Sequence, residues 1–376
     1  MSRPDQRYGG FAVERGLDLG GHMPRNAQSL PRELSHRAQR IARVKHGAPV
    51  RSCWRGSFCG QDRDQTTWSP LSPGDRFFYA SDMIMHEPDT SRSIRSVCAG
   101  TTGTGSMHPE HRYGSRLPTL LWVLLSRRWV DGVPVHFFAI DHRDGLVLFD
   151  TGLDPAVSND PRGYLGSALG VFLLNRLFRW HIGPEDNVTD QLTQMGHDVN
   201  SVRKVVFSHL HFDHTGCIEH LLHAQLLAPR REWQALIEPN AERHWYLRQH
   251  VERPGAQWTL FDMAPCDDPD VAPFGACFDV MGDRSIVLLP TPGHSAGSAS
   301  MLLRSAGMPP ILLIADLAFE LDMLMADHLP GVGEDFEAMR ASYARVRALR
   351  ERLPGLVILP SHDMETATRL AEALPA

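Results

Sequence analysis

The chain has 376 residues, of which 42% are hydrophobic and 22% charged, enough apolar material for a sizeable globular core and too much for a wholly disordered chain. A formal net charge of −6 offers no general attraction for nucleic acid or for an anionic membrane. Six cysteines (Cys53, Cys59, Cys98, Cys217, Cys266 and Cys277) contain no CxxC pair. The expectation is therefore reduced thiols in a cytoplasm, with neither a disulfide framework nor a thiolate zinc site.

Residues 1–91 are rich in Arg, Gly, Pro and Ser, show little periodicity, and carry 13 basic against 10 acidic residues. They read as a low-order N-terminal extension. The first thirty residues lack the apolar segment of a signal peptide, and translation from Met83 or Met85, just before the patterned sequence, is a further expectation. From residue 92 the pattern changes, and residues 92–376 carry 25 basic against 34 acidic residues. The apolar stretch 117–125 is far shorter than the ~20 residues a bilayer helix needs, so no membrane partner is expected. "VPVHFFAIDHRDGLVLFDTG" (residues 133–152) reads as a β-hairpin turning between His142 and Gly145. Strand-like runs follow in "VRKVVF", "SIVLLP", "PILLIA" and "GLVILP", with helical stretches at residues 167–180 and 334–353. Strands mixed with helices predict an α/β protein with a buried sheet.

Each of those four runs ends in candidate metal ligands. "VVFSHLHFDH" leads to His209, His211, Asp213 and His214, "LLPTPGH" to His294, "LLIAD" to Asp316 and "VILPSH" to His362. A lone histidine at a strand end is usually a polar surface residue. HxHxDH joined by three further ligand types in matching contexts is a different matter, whereas His142, His220, His223, His244, His250 and His328 lack that context. In an extended or turn segment His209 and His211 point to one side and reach one ion, while Asp213 and His214 beyond the bend address a second. Five imidazoles and two carboxylates suit a pair of borderline divalent cations, Zn²⁺ first, with other divalent transition metals open.

"SHLHFDHTG", "TPGHSAGS", "IADLAF" and "PSHD", in this order and with the early "GLVLFDTG", resemble the metallo-β-lactamase superfamily and more closely its N-acyl-homoserine-lactone lactonase-like branch. The resemblance covers residues 92–376 and implies an αββα sandwich, two sheets face to face with helices outside. It further implies that His209, His211 and His294 hold one Zn²⁺, that Asp213, His214 and His362 hold another, and that Asp316 bridges them. Asp150 either orients a ligand imidazole, as its match to the family implies, or is a turn residue at a strand end. The implied activity is opening of a lactone ester by metal-bound hydroxide, with Asp213 as proton carrier.

One departure stands out: where these lactonases usually carry a tyrosine, three residues after the bridging aspartate, this chain has Phe319, which offers no O–H. Residues 167–180 present Leu, Phe and Trp as a candidate apolar wall for an acyl chain, or as an ordinary packed helix. The alternatives are a glyoxalase-II-like thioester hydrolase and a non-catalytic metal-binding protein. The expected partner is a small lactone or other activated acyl compound, not nucleic acid, and a homodimer is compatible with the sequence.

Overall fold

The structure, a computed structural model, describes residues 92–374. The expectations for the N-terminal extension and its alternative start lie outside the described residues, as do Cys53 and Cys59. Strands β1 (Ile94–Met107), β2 (Val130–His142), β3 (Gly145–Phe149), β4 (Phe178–His181), β5 (Val202–Val206), β6 (Gln225–Pro229) and β7 (Gln257–Phe261) form one sheet in the order β4-β1-β2-β3-β5-β6-β7. Strands β8 (Ala264–Pro265), β9 (Ala276–Asp279), β10 (Ile286–Pro290), β11 (Ala299–Leu303), β12 (Ile311–Ala315) and β13 (Val357–Pro360) form the second, in the order β13-β12-β11-β10-β9-β8.

The two-residue period of the strands sorts their side chains into layers. Ile286, Leu288, Ile311 and Leu313 face the first sheet and pack with Phe138, Ile140, Val147, Phe149 and Val206 in a core between the sheets. Their neighbours Val287, Leu289, Leu312 and Ile314 face outward against Met339, Tyr343, Val346 and Leu349, one stripe of the helix Phe336–Arg352. On the far side of the first sheet, Leu148, Val205 and Leu226 pack with Val188, Leu192 and Leu236 from the helices Val188–Gln194 and Arg230–Ile237. Three apolar layers separated by two sheets make the αββα sandwich expected from the sequence.

Strand direction decides where the site lies. β3, β5, β6 and β7 run parallel. β10 is antiparallel to β11, β11 to β12, and β12 parallel to β13, so β10, β12 and β13 share a direction. Their carboxyl ends meet the end of β5 at one edge of the sandwich, where Ala299 N donates to Ser208 O (2.9 Å) and His136 N to Ser361 O (3.1 Å), stitching the sheets together.

Two expectations need correcting. The helix in residues 167–180 stops at Leu177, and Phe178–His181 leave it as β4, pairing with β1 through Met107 opposite Phe178 and Gly105 opposite Trp180. Gly105 makes this pairing feasible, since a Cβ there would fall 2.8 Å from the Trp180 ring. The cysteines are not all reduced thiols either: β8 pairs antiparallel with β9, Ala264 opposite Cys277, and this brings Cys266 to a Cα–Cα distance of 5.4 Å from Cys277, to which it is disulfide-bonded. Cys217 is free and buried. Among the described residues no helix is long and apolar enough to cross a membrane.

Candidate metal centre

After β5 the chain stays extended through His211 (φ −70°, ψ 156°) and then closes a single helical turn over Phe212–Thr215, with Thr215 Oγ1 donating back to His211 O (3.0 Å). The bend separates the motif into two halves that face different ways. The structure brings all seven candidate ligands together in two groups, His209, His211 and His294 in one, and Asp213, His214, Asp316 and His362 in the other, with the ligand-type atoms of each group within 4.8 Å of one another.

In the first group, His211 Nδ1 lies 3.1 Å from both His209 Nε2 and His294 Nε2. Nitrogens bound at ~2.0–2.1 Å to one tetrahedral ion are about 3.3 Å apart, so three imidazoles aimed at a common point are spaced as ligands would be. In the second, Asp316 Oδ1 is 3.2 Å from both His214 Nε2 and His362 Nε2, and Asp213 Oδ2 is 3.5 Å from His362 Nε2. The other oxygen of Asp316, Oδ2, lies 3.5 Å from His294 Nε2 in the first group. Asp316 therefore spans the two. His214 Nε2 and Asp316 Oδ1 are buried and, although 3.2 Å apart, do not meet in hydrogen-bond geometry, a costly arrangement for polar atoms that a cation would relieve. A donor set of imidazoles and carboxylates fits divalent transition metals.

Around the ligands, hydrogen bonds fix ring orientation. Asp150 is fully buried at φ 62° and accepts from Ser208 N (2.7 Å), Ser208 Oγ (2.8 Å) and His214 Nδ1 (2.8 Å). The second of the two readings of Asp150, a plain turn residue, is thereby too small a role: its carboxylate holds the imidazole of a candidate ligand, His214. His362 Nδ1 donates to Pro134 O (2.7 Å), and His209 Nδ1 bonds Ser208 Oγ (2.9 Å). Ala315, immediately before Asp316, has φ 46°, strained for a residue with a Cβ, and like Asp150 it sits where the backbone must turn a ligand inward.

Sequence reading missed Glu232. This buried side chain accepts from Leu210 N (3.1 Å), Ser295 Oγ (2.8 Å), Gly297 N (2.6 Å) and Tyr246 O–H (3.3 Å), tying the loop of His209 and His211 to the loop of His294. Burial pushes its carboxyl up to about 7 against the pull of these donors. Nothing in "PRREWQ" marks a glutamate as buried, because the helix Arg230–Ile237 is mostly polar and only the tertiary fold turns this position inward.

The electrostatics differ between the groups. Burial holds His209 well below the usual imidazole value, with His214 adding to the effect, and burial and His294 bring His211 down to about 3, so both rings are neutral ligands-in-waiting. Burial opposes a charge on His362 too, but Asp316 and Asp213 outweigh it and raise the ring to about 10. Burial likewise opposes the Asp316 carboxylate, and His362 and His214 nevertheless hold it well below the usual range. Here protons balance carboxylates that metal charge would otherwise balance.

Five of the seven residues, His211, Asp213, His294, Asp316 and His362, line a cavity of about 1410 Å³. Its walls are aromatic and aliphatic, among them Trp122, Phe178, Trp180, Phe212, Trp245 and Phe319, with Arg116, Arg243, His244 and Glu334 also in the lining. Of residues 167–180, then, the wall comes from Phe178 and Trp180 in β4 and not from the helix before it.

The sequence model of the Metallo-beta-lactamase superfamily matches residues 130–362, more than half of the chain. The chain belongs to this superfamily. Among curated superfamily relatives it is 32% identical over 238 residues to the N-acyl homoserine lactonase AttM of Rhizobium johnstonii, covering 61% of this chain and 82% of that one. It is 31% identical over 248 residues to the AttM lactonase of Agrobacterium fabrum, covering 64% and 86%. The fold is similar to that of an N-acyl homoserine lactone hydrolase solved with the product N-hexanoyl-L-homoserine at its catalytic metal centre, with a TM-score of 0.58 at 19% identity, over 72% of this chain and 94% of that one. A mutant of the B. thuringiensis protein AiiA, solved with N-decanoyl-L-homoserine bound at its active site, aligns with the same TM-score, identity and coverage.

Proposed function

We propose that this chain, a hydrolase of ester bonds by its superfamily and relatives, opens the lactone ring of N-acylated homoserine lactones at a site holding two Zn²⁺ ions. The observation that carries the reading is Asp316, whose two carboxylate oxygens face His294 on one side and His214 and His362 on the other. His209, His211 and His294 would hold one ion and Asp213, His214 and His362 the other, Asp316 reaching both. When bound, such ions polarise an ester carbonyl and lower the pKa of water toward ~7.

The remaining work falls to the protein. Asp213 lines the cavity and has its carboxyl held below the usual range, where burial is outweighed by His214 and a hydrogen bond from His362. It accepts the proton of the attacking water and returns it to the ring oxygen that leaves. Asp150, through His214, and Glu232, through the two ligand loops, keep the ligands in place while charge moves. Phe319, 2% exposed beside His294 and His362, excludes water from the reacting ester. The rest of the cavity, largely apolar, is wide enough for an acyl chain.

The test is a panel of acyl-homoserine lactones, thioesters and a chromogenic β-lactam offered to the zinc-loaded protein. Lactone hydrolysis abolished by Asp213→Ala is the expected result. Turnover of thioesters with lactones untouched would give the function to a thioester hydrolase, and no turnover together with less than one metal per chain would leave a non-catalytic protein.

A further inference from the structure

His111 has no place in the metal site or in the mechanism above, yet it lines the same cavity. It sits in the single-turn helix Pro109–Tyr113, is 8% exposed, and its Nδ1 is buried without a partner. Among the described residues no protein group bonds Nε2 either. Its other neighbours are aromatic carbon: Phe319 stacks on the ring at 5.9 Å, with Phe178 edge-on at 5.0 Å and Trp122 edge-on at 6.2 Å. Burial, with His294 adding to it, lowers the imidazole to about 3, so at neutral pH the ring is uncharged and one nitrogen donates while the other accepts.

A ring nitrogen left buried without a partner among aromatic side chains, Nδ1 here, destabilises the fold. The next residue, Arg112, donates Nε–H to Glu320 Oε1 (2.7 Å) and Tyr113 O–H donates to the same oxygen (2.7 Å). His111 O also accepts from Gly331 N (2.9 Å). The short helix that carries the ring is thus pinned to Glu320, next to Phe319, and to Gly331. Phe319 lies between it and the metal centre, 5.7 Å from the His362 ring and 6.4 Å from the His294 ring. His111, Phe319 and the candidate ligands His294, Asp316 and His362 thus line one continuous cavity.

We propose that His111 is a substrate-binding residue whose N–H donates to the amide carbonyl of an N-acylated substrate, selecting such substrates over those that present only hydrocarbon at that point. This rests on the N-acyl lactone reading of the site. In a lactone of that kind the amide is attached to the ring carbon next to the attacked carbonyl, so the two oxygens are close enough to be served by one cavity. Phe319, filling the space between, supplies no competing donor.

The test compares kcat/KM for N-hexanoyl-homoserine lactone with that for an alkyl lactone of matched length that lacks the amide, in the zinc-loaded full chain and in His111→Phe and His111→Gln. The ratio of the two efficiencies falls about 3- to 10-fold in His111→Phe, chiefly through KM, and is largely restored in His111→Gln, which keeps a donor. Metal content, measured in parallel, stays at the wild-type value. A ratio unchanged in both variants, both substrates declining together, or a loss of metal would overturn the proposal. If the wild type instead turns over thioesters alone, the lactone function fails while the same ratio, read on thioesters with and without an amide, still decides the role of His111. Absence of turnover on every acyl substrate removes both.

Discussion

Asp150→Asn isolates the support of one candidate ligand, His214, without changing any of the seven. The substitution keeps size and tolerates the left-handed backbone at φ 62°, a region in which Asn is common. What changes is the count of acceptors. Three donors, Ser208 N, Ser208 Oγ and His214 Nδ1, converge on two carboxylate oxygens at 2.7 to 2.8 Å. Asparagine has one acceptor oxygen and two N–H groups. If that oxygen keeps Ser208 N, the amide nitrogen faces His214 Nδ1, which must then lose its proton and place it on Nε2, the atom that faces Asp316 and would bind the proposed second ion. Loss of such a partner costs ~10–100-fold in metal affinity, about 1.4–2.7 kcal/mol. Titration of the metal-free protein with zinc against a chromophoric chelator should show the step belonging to Asp213, His214 and His362 displaced by that amount. The step belonging to His209, His211 and His294 should move less, since Asp150 reaches it only through Ser208 and His209 Nδ1. Both steps at wild-type affinity would refute the reasoning.

Other perturbations test other parts. Gly293 has φ +135° and a Cβ there would lie 2.3 Å from Met339 N, so Gly293→Ala must displace the loop that carries His294; it should lower thermal stability by about 1–3 kcal/mol and weaken zinc binding, read by calorimetry of metal-free and loaded protein. Asp283 accepts from Ser93 Oγ (2.8 Å), Arg143 Nη2 (3.0 Å) and Ser285 N (3.0 Å); burial works against its charge, but the hydrogen bonds from Ser285 and Ser93 outweigh burial and depress the carboxyl. A depressed folded-state value gives stability that is present above the unfolded value near ~3.9 and lost as pH falls through the folded one. Asp283→Asn should therefore be less stable than wild type at pH 7, by about 1–2 kcal/mol, with the gap closing in acid denaturation series below about pH 4. Cys266→Ser should cost about 2–3 kcal/mol in denaturant unfolding under oxidising conditions, as expected for a bridge closing a loop with a sequence separation of 11, and nothing in the presence of a strong reductant.

The candidate ligands were legible because the chemistry is concentrated where strands end. HxHxDH after "VVF" announces itself, and His294, Asp316 and His362 each follow a short unbroken apolar run of the kind that forecasts a strand between two packed layers. The groups that support them were not legible. Glu232 lies in a polar helix, and Ser208, although adjacent to His209, shows its role only when Asp150 is brought within 2.8 Å of its hydroxyl by parallel pairing of β3 and β5. His111 was hidden for a similar reason: "HPEHRYG" carries no periodic signal, and the aromatic residues that enclose the ring come from positions 122, 178 and 319. The end of the helix at Leu177 was misread because "FRW" continues an apolar, helix-compatible pattern, and only the vacant space over Gly105 draws Trp180 into a strand. The disulfide likewise depends on a hairpin register that cysteine spacing alone does not reveal.

The central claim is that Asp316 joins two occupied metal positions. Crystals of zinc-loaded protein, with anomalous scattering measured on both sides of the zinc edge, would test it most directly. Two peaks per chain are expected, separated by about 3.5–4 Å, one against His209, His211 and His294 and the other against Asp213, His214 and His362, with one oxygen of Asp316 at each. A single peak, or two that Asp316 does not link, would contradict it.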